Sequence, residues 1–196
     1  MTVTDSLIKI SEWLNEGVCK KFKFKAPPEE GNPIDDKYEY KEVHPHAFPL
    51  FVPARDKLPP NVETNMPAVA VQVVNGEDDV VNGQRDLTIN LALACWNPGK
   101  HSKDIYYPHD KRPDEPEKYK STYSGWMDVW NFTDAILREL ESVANIRDMR
   151  IQGKVTFGPY KEQNAIADYY PFWFTWIQFA VQADFLRNCA EYNDFL

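Results

Sequence analysis

The feature that most constrains the fold is a run of aromatic and β-branched residues late in the chain, from Pro171 to Ala183. Alternate residues of a strand point to opposite faces, so this run divides into two sets. One set is Trp173, Thr175, Ile177, Phe179 and Val181, and the other is Phe172, Phe174, Trp176, Gln178 and Ala180. Because both sets are mainly apolar, we expect a strand covered by helices on one face and by a neighbouring subunit on the other.

Two further strands are predicted in the middle of the chain. Residues 86–96 alternate strictly, with Leu87, Ile89, Leu91, Leu93 and Cys95 on one face. The β-branched run Met66 to Val74 predicts a partner strand. Between them, NGEDD at 75–79 is a turn cluster, which indicates a hairpin joined across residues 75–85 with a long acidic tip.

Two stretches have the periodicity of amphipathic helices. Thr4 and Asp5 are N-cap candidates for a first helix over 5–16, which we expect to end in a left-handed Gly17. Ser124 is the cap candidate of a second helix. Its apolar stripe is Trp126, Val129, Trp130, Thr133, Ile136, Leu137, Leu140 and Val143.

Two long segments lack periodicity. The arm at 26–66 is rich in proline, which removes backbone donors and excludes a long helix or a central strand. The insertion at 97–122 carries four prolines and six basic against five acidic residues. A short strand at 150–157 and a polar loop at 158–168 follow the second helix. Segments of this length without regular structure are typically disordered or used on a partner.

These elements predict one α+β domain over 1–196, with two main helices packed on one face of a mostly antiparallel sheet. The arm 26–66 and the insertion 97–122 are its appendages. A chain of 196 residues with 43% hydrophobic and 14% aromatic residues has enough apolar surface for one core. We therefore expect an ordered domain whose second sheet face stays available.

The net charge indicates which partners the protein can bind, and the cysteine content indicates the redox compartment in which it is made. The formal net charge of -8 repels phosphate backbones and anionic lipid, which argues against stable nucleic-acid or membrane binding. Cys19, Cys95 and Cys189 are odd in number and widely spaced, so neither a disulfide framework nor a zinc knuckle is expected. The first residues lack the apolar core of a secretory signal, and no apolar run is long enough for a bilayer. These features favour a soluble protein made in a reducing cytosol.

No established catalytic motif is present: there is no GxGxxG, P-loop, GxSxG or HExxH. His44 and His46 form an HxH pair to which His101, His109 or a cysteine would add a zinc ligand, with surface histidines as the simpler interpretation. The densest acidic cluster is Glu77, Asp78, Asp79 and Asp86. It suits either a solvated hairpin tip or the carboxylates of a metal-dependent nuclease, although no lysine or histidine lies nearby in sequence. We expect no enzyme, metal or cofactor.

Aromatic and basic residues allow two binding hypotheses with plainer alternatives. Trp126, Trp130, Trp173 and Trp176 would form a stacking box for bases or sugars only if they converged, and core packing with subunit contact explains them better. The tract KKFKFK at 20–25 is typical of a charged edge strand, and a basic nucleic-acid arm is its alternative.

Three stretches together resemble the tail terminator proteins of long-tailed bacteriophages, also called tail completion or neck proteins. They are PAVAVQVVNGEDD at 67–79, SGWMDVWNFTDAILREL at 124–140 and YYPFWFTWIQFAVQ at 169–182. The resemblance covers roughly half of the chain, and the arm and the insertion have no counterpart in it. It points to phages or prophages of Gram-positive bacteria.

The resemblance implies a small α+β fold and a mechanical role in the virion. Such proteins form a hexameric ring on the last ring of tail tube subunits, stop polymerisation and meet the head connector. DNA would be transient cargo through the lumen, and an acidic wall would not hold it. The chain would assemble in the host cytoplasm and end at the tail-neck junction. Another neck or head-tail adaptor, and a nuclease using residues 77–86, are the alternatives.

The resemblance also leads to interface residues. We expect Asp78 and Asp79 near a ring or lumen surface, and Trp173 and Trp176 divided between the core and subunit contacts. The insertion, with Tyr106 and Tyr107, is expected to contact the tube or the connector.

Overall fold

The computed structural model describes residues 1–27, 41–99 and 124–184. The main helices are α1 (Val3–Glu16) and α3 (Trp126–Glu141), and α2 (Val18–Lys21) is a single turn. The strands are β1 (Phe24–Lys25), β2 (Glu42–Val43), β3 (His46–Pro49), β4 (Ala68–Asp79), β5 (Gln84–Trp96), β6 (Asn145–Ile146), β7 (Met149–Pro159), β8 (Lys161–Glu162), β9 (Ala165–Ile166) and β10 (Phe172–Asp184).

Six strands form the main sheet in the order β3-β4-β5-β10-β7-β6. Every neighbouring pair is antiparallel except β3 and β4, which are parallel. β1 with β2, and β8 with β9, form separate two-stranded ladders. The predicted α+β class with a mostly antiparallel sheet is therefore confirmed.

One face of the sheet is covered by the two main helices. α1 packs on β3 and β4, and α3 packs on β5 and β10. The face of β5 that begins at Leu87 is fully buried, as its alternation predicts, and Ile177, Phe179 and Val181 of β10 are buried beside it. Ile10, Leu14, Phe132 and Ile136 of the helices complete this core. Each such side chain contributes about 1.5–3 kcal/mol by leaving water, so this face supplies most of the stability.

The second face of the sheet is buried at one end and only half-buried along the start of β10. At one end Ala68, Ala94 and Trp96 are buried, whereas Phe172, Phe174 and Trp176 of β10 are only half-buried. The expectation that β10 is covered twice is met on the helix side. Cover from a neighbouring subunit stays a prediction.

The ends of the first helix differ from the expected ones. α1 begins at Val3 with Thr2 as its N-cap, and Thr2 and Asp5 exchange the two hydrogen bonds of a capping box. Thr4 and Asp5 are thus inside the helix. Gly17 has a φ of −97° instead of a left-handed conformation, because α2 follows it directly.

The predicted turn at 75–79 is wrong. β4 continues through this segment and pairs with β5 as far as Asp79, so the turn occupies residues 80–83. Gly83 supplies the positive φ of that turn, at 72°. A ladder already established between two long strands outweighs the turn preference of Asn75 and Gly76. The extra residue Val74 forms a bulge.

The start of α3 also differs from the expectation. Gly125 occupies the N-cap position and no side chain caps the helix there. Trp126 is 49% exposed and does not belong to the buried stripe, whereas Val129, Ile136 and Leu140 do. The helix ends at Glu141, so Val143 lies beyond it.

Several short elements lie in segments predicted as irregular. Within the arm, β2 and β3 are strands, and β3 forms an edge of the main sheet, a position that tolerates its Pro49. Residues 28–40 of the arm lie outside the described part. The strand predicted at 150–157 is the longer β7, and the loop after it contains the β8–β9 hairpin. Of the KKFKFK tract, Lys20 and Lys21 are helical and only Phe24–Lys25 is a strand.

Candidate interaction surface

The acidic hairpin tip, residues 77–86 of β4 and β5, holds two carboxylates in structural roles. Asp78 lies opposite Arg85, whose Nε and Nη2 donate to its two oxygens at 2.6 and 2.7 Å. These hydrogen bonds hold the pKa of Asp78 below its usual range. Asp79 accepts hydrogen bonds from the backbone N–H of Val81 and of Asn82, each at 2.9 Å, and so closes the turn.

Asp78 and Asp79 do not form one acidic patch. They are consecutive strand residues, so their side chains point to opposite faces of the sheet. The resemblance leads us to expect both near a ring or lumen surface. The structure places both at the hairpin tip, where each is also engaged within its own chain.

The other two acids of the tip are left unneutralised. Glu77 and Asp86 are direct cross-strand partners, and neither has an ion pair with any described residue. Like charges opposite each other on adjacent strands destabilise the pair. Both side chains point to the second face, since Asp86 alternates with the buried Leu87. Glu77 and Asp86 are therefore the negative charges available to a partner. The sequence included them in the cluster but did not reveal the register that pairs them.

Trp173 and Trp176 lie on opposite faces of β10, as their odd spacing predicts. Trp173 packs at the margin of the helix-side core, and its Nε1–H donates to the carbonyl of Asn97 at 2.8 Å. Trp176 lies on the second face over Gly158, where an added Cβ would be 3.1 Å from the indole ring. Its Nε1–H donates to the carbonyl of Pro159.

An aromatic cluster continues the second face beside Trp176. The Phe174 ring packs edge-on against those of Tyr160 and Tyr169, both of which are exposed. The Tyr169 hydroxyl donates to Glu162. This cluster has the mixed apolar and hydrogen-bonding character that is enriched in protein interfaces. The four tryptophans singled out in the sequence do not converge, since Trp126 is exposed on α3 and Trp173 and Trp176 are on different faces.

A polar network joins the described residues that flank the segment 100–123. The Asn97 amide bridges two groups: its Oδ1 accepts from Lys25 Nζ at 3.1 Å and its Nδ2 donates to Asp128 at 2.7 Å. Gly125 lies so close that a Cβ there would be 1.9 Å from the Asn97 carbonyl oxygen. Burial raises the pKa of Asp128, against the opposing effect of the Asn97 hydrogen bond. Tyr106 and Tyr107 belong to this segment and lie outside the described residues.

The histidines and acids considered as metal ligands do not converge. His44 is exposed and its Nδ1 lies 2.7 Å from the carbonyl oxygen of Phe22, while His46 packs on Phe48. Within residues 1–27, 41–99 and 124–184, no three His, Cys, Asp or Glu side chains are arranged to hold a metal ion. His101 and His109 lie outside these ranges. Burial raises the pKa of the Cys19 thiol to about 12, which leaves it unreactive.

A shallow polar depression of about 240 Å³ lies where β6, β7 and β10 meet. Arg147, Asp148, Arg150 and Asp184 line it together with Asn145 and Gln182. Asp148 is held by Lys9 at 2.7 Å and Arg147 by Glu16. Because its charges are mixed and partly paired, the depression has no clear preference for an anion or a cation.

No helix in the described part of the chain has the length and apolarity to cross a bilayer. No protein family profile matches this sequence, and no curated protein sequence matches it significantly.

Proposed function

We propose that the protein is a phage tail terminator, a ring-forming virion protein that caps the tail tube and joins it to the head connector. The observation that carries the proposal is the arrangement of the three stretches that resemble this family. They correspond to β4, α3 and β10, which assemble around β5 into one helix-covered sheet. Stretches far apart in sequence thus belong to one structural unit, as the resemblance requires.

The surface of that unit supports an assembly role. The second face of β10 carries half-buried aromatic residues, and exposed tyrosines extend it. Exposed apolar surface of this kind is typical of a protein that is covered by partners. Asp86, which has no ion pair with a described residue, would give a ring an acidic surface that does not retain DNA.

The alternatives have less support. A nuclease centred on residues 77–86 would use Asp78 and Asp79, which are committed to Arg85 and to the hairpin turn. A different neck adaptor would share the assembly surfaces, so it is distinguished by its position in the virion.

Labelling of virions by electron microscopy tests the proposal directly. With an antibody against this chain, we expect label at the junction of tail tube and head connector, and tails of irregular length when the gene is deleted. Label within the connector with normal tail length would favour the adaptor. Absence of label from purified virions, or metal-dependent cleavage of DNA by the purified chain, would contradict a terminator.

A charge reversal tests the acidic surface within this proposal. We expect Asp86→Lys to fold, because its side chain has no ion pair with a described residue, and to lower infectious titre at least about tenfold. Plaque counts after complementation measure this effect. Glu141→Lys, at an exposed helix position, is the control of equal charge. A normal titre for the variant at Asp86 would show that the acidic surface is not needed for tail joining or DNA passage.

A further inference from the structure

The main sheet has an open stretch at each of its two edges. On one side, β3 pairs with β4 only as far as Val71, so the outer edge of β4 over Gln72–Asp78 has no strand partner among the described residues. On the other side, β6 pairs with β7 only at Met149 and Arg150, which leaves the outer edge over Gly153–Pro159 open in the same sense. Exposed edges present backbone donors and acceptors that favour pairing with another strand.

The end strand β3, which covers the start of β4, is itself closed at Ala47. The Asn15 side chain of α1 accepts from the Ala47 N–H at 2.7 Å and donates to the Ala47 carbonyl at 2.9 Å. It takes the place of a neighbouring strand at that point. The two open stretches are therefore distinct from the edge that the fold itself protects.

The open stretches carry complementary side chains. Glu77 on β4 is acidic and Lys154 on β7 is basic, and neither is paired with another described residue. Each stretch also exposes one large apolar side chain, Val74 at 56% and Phe157 at 50%. One edge is thus a negative strand with an exposed valine, and the other is a positive strand with an exposed phenylalanine.

The strand directions are compatible with pairing between copies. β4 and β10 run one way, and β5 and β7 run the other way. If the sheet of one copy continues into the next, β7 of the first meets β4 of the second in antiparallel orientation, the arrangement in which charge and apolar cross-strand pairs stabilise a sheet.

One alignment satisfies both pairs at once. With Lys154 opposite Glu77, one-to-one antiparallel counting across the bulge of β4 at Val74 and the register shift of β7 beside Lys154 places Phe157 opposite Val74. This count spans the two open stretches from end to end. Glu77 lies on the second face, whereas Phe157 pairs with Ile177 and lies on the helix side, so the two contacts fall on opposite faces. The alignment staggers adjacent copies by roughly four residues, and such stagger is what tilts strands in closed sheets.

We propose that the chain self-associates head to tail, with the β7 edge of one copy, Gly153–Pro159, pairing with the β4 edge of the next, Gln72–Asp78. The interface is heterologous, so repetition gives a ring when the rotation closes. Only the identification of this ring with a tail terminator rests on the proposed function. The pairing itself is a property of the isolated chain.

Charge exchange tests the pairing in solution. Light-scattering mass is measured over a concentration series up to about 1 mM for the wild type, for Lys154→Glu, for Glu77→Lys and for the double exchange. We expect each single variant to associate about tenfold more weakly and the double exchange to recover the wild-type association. Lys20→Glu, at an exposed lysine of α2 on a different element, is the matched control. A monomeric wild type at every concentration overturns the proposal, and so does an exchange that fails to recover.

Cysteine cross-linking tests the head-to-tail geometry independently of charge. Glu77→Cys and Lys154→Cys are prepared as separate proteins and oxidised alone and as a mixture, with the wild type as the background. We expect a covalent dimer in the mixture well above either variant alone, because identical positions do not meet in a heterologous interface. Equal dimer in all samples overturns the geometry. If the mixture forms the covalent dimer but virions carry no label, the terminator function is contradicted and the pairing is supported. If virions carry label at the tail junction but the mixture forms no covalent dimer, the pairing is contradicted and the terminator function is supported.

Discussion

At the scale of single residues, Asp128 shows how a buried carboxylate supports the fold at an electrostatic cost. It lies half-buried in the first turn of α3, where a negative charge suits the helix dipole and where Asn97 donates a hydrogen bond. Burial nevertheless dominates, and it raises the pKa of Asp128. The folded protein therefore binds a proton at this carboxyl more readily than the unfolded chain does.

Asp128→Asn should change the dependence of stability on pH. A raised carboxyl pKa adds stability below the unfolded value and loses it as the pH rises through the folded value. We therefore expect the free energy of unfolding of the wild type to rise, relative to the variant, as the pH falls from about 7 to about 4. Urea titrations at several pH values measure the difference, with Asp134→Asn on the same helix as the matched control. If the free energies of unfolding of the wild type and of Asp128→Asn change in parallel with pH, burial does not raise the pKa of Asp128.

Residue roles were predictable only where the signal is local. Thr2 and Asp5 have the spacing of a capping box, so the true start of α1 was present in the sequence, but Thr4 and Asp5 competed for the same role. Trp126 has helical spacing with the buried stripe and is nevertheless exposed, because the start of α3 is fixed by the approach of Gly125 to Asn97. The role of Asn15 depends on a contact with Ala47, which is distant in sequence, and it had no local signal.

At the scale of elements, α1 protects a strand edge with one side chain. Ala47 is buried, so its backbone groups depend on Asn15 for their hydrogen bonds. We expect Asn15→Ala to lower the free energy of unfolding by about 1–3 kcal/mol, the cost of leaving buried polar groups unpaired. Chemical denaturation measures this, and Glu12→Ala, an exposed residue of the same helix, is the control. A loss no larger than that of the control would mean that water replaces the amide.

The long strands were predictable because alternation survives in their sequences, and the short ones were not. β5 and β10 follow from period-two patterns, and their faces are assigned correctly. β3 lies between prolines and exists because β4 offers a parallel edge, which no local pattern records. The true end of β4 was missed for the same reason, since Asn75 to Asp79 form a turn-rich sequence that long-range pairing holds extended.

At the scale of the whole molecule, the described residues that flank the segment 100–123 contact each other. Asn97 and Gly125 touch, and Lys25 and the Asn97 side chain hold Gly99 by its carbonyl and its N–H. The described residues before and after this segment therefore belong to one continuous domain.

Replacing residues 100–123 with a short glycine-serine linker should leave the domain folded. Because the ends already meet, we expect the free energy of unfolding to change by less than about 1 kcal/mol, the scale of loop-closure differences. Thermal and urea unfolding provide the measurement, and Phe132→Ala in the core, with an expected loss of about 3–5 kcal/mol, calibrates it. A loss comparable to that of Phe132→Ala would assign the segment to the core.

The central place of β10 has a consequence for biosynthesis. β10 lies between β5 and β7, and it is translated after both. Until β10 has been synthesised, β5 and β7 lack the strand that lies between them in the folded sheet. We therefore expect a chain that ends before Phe172 to aggregate more readily than the full chain, because its unpaired strand edges and apolar sheet surface remain exposed.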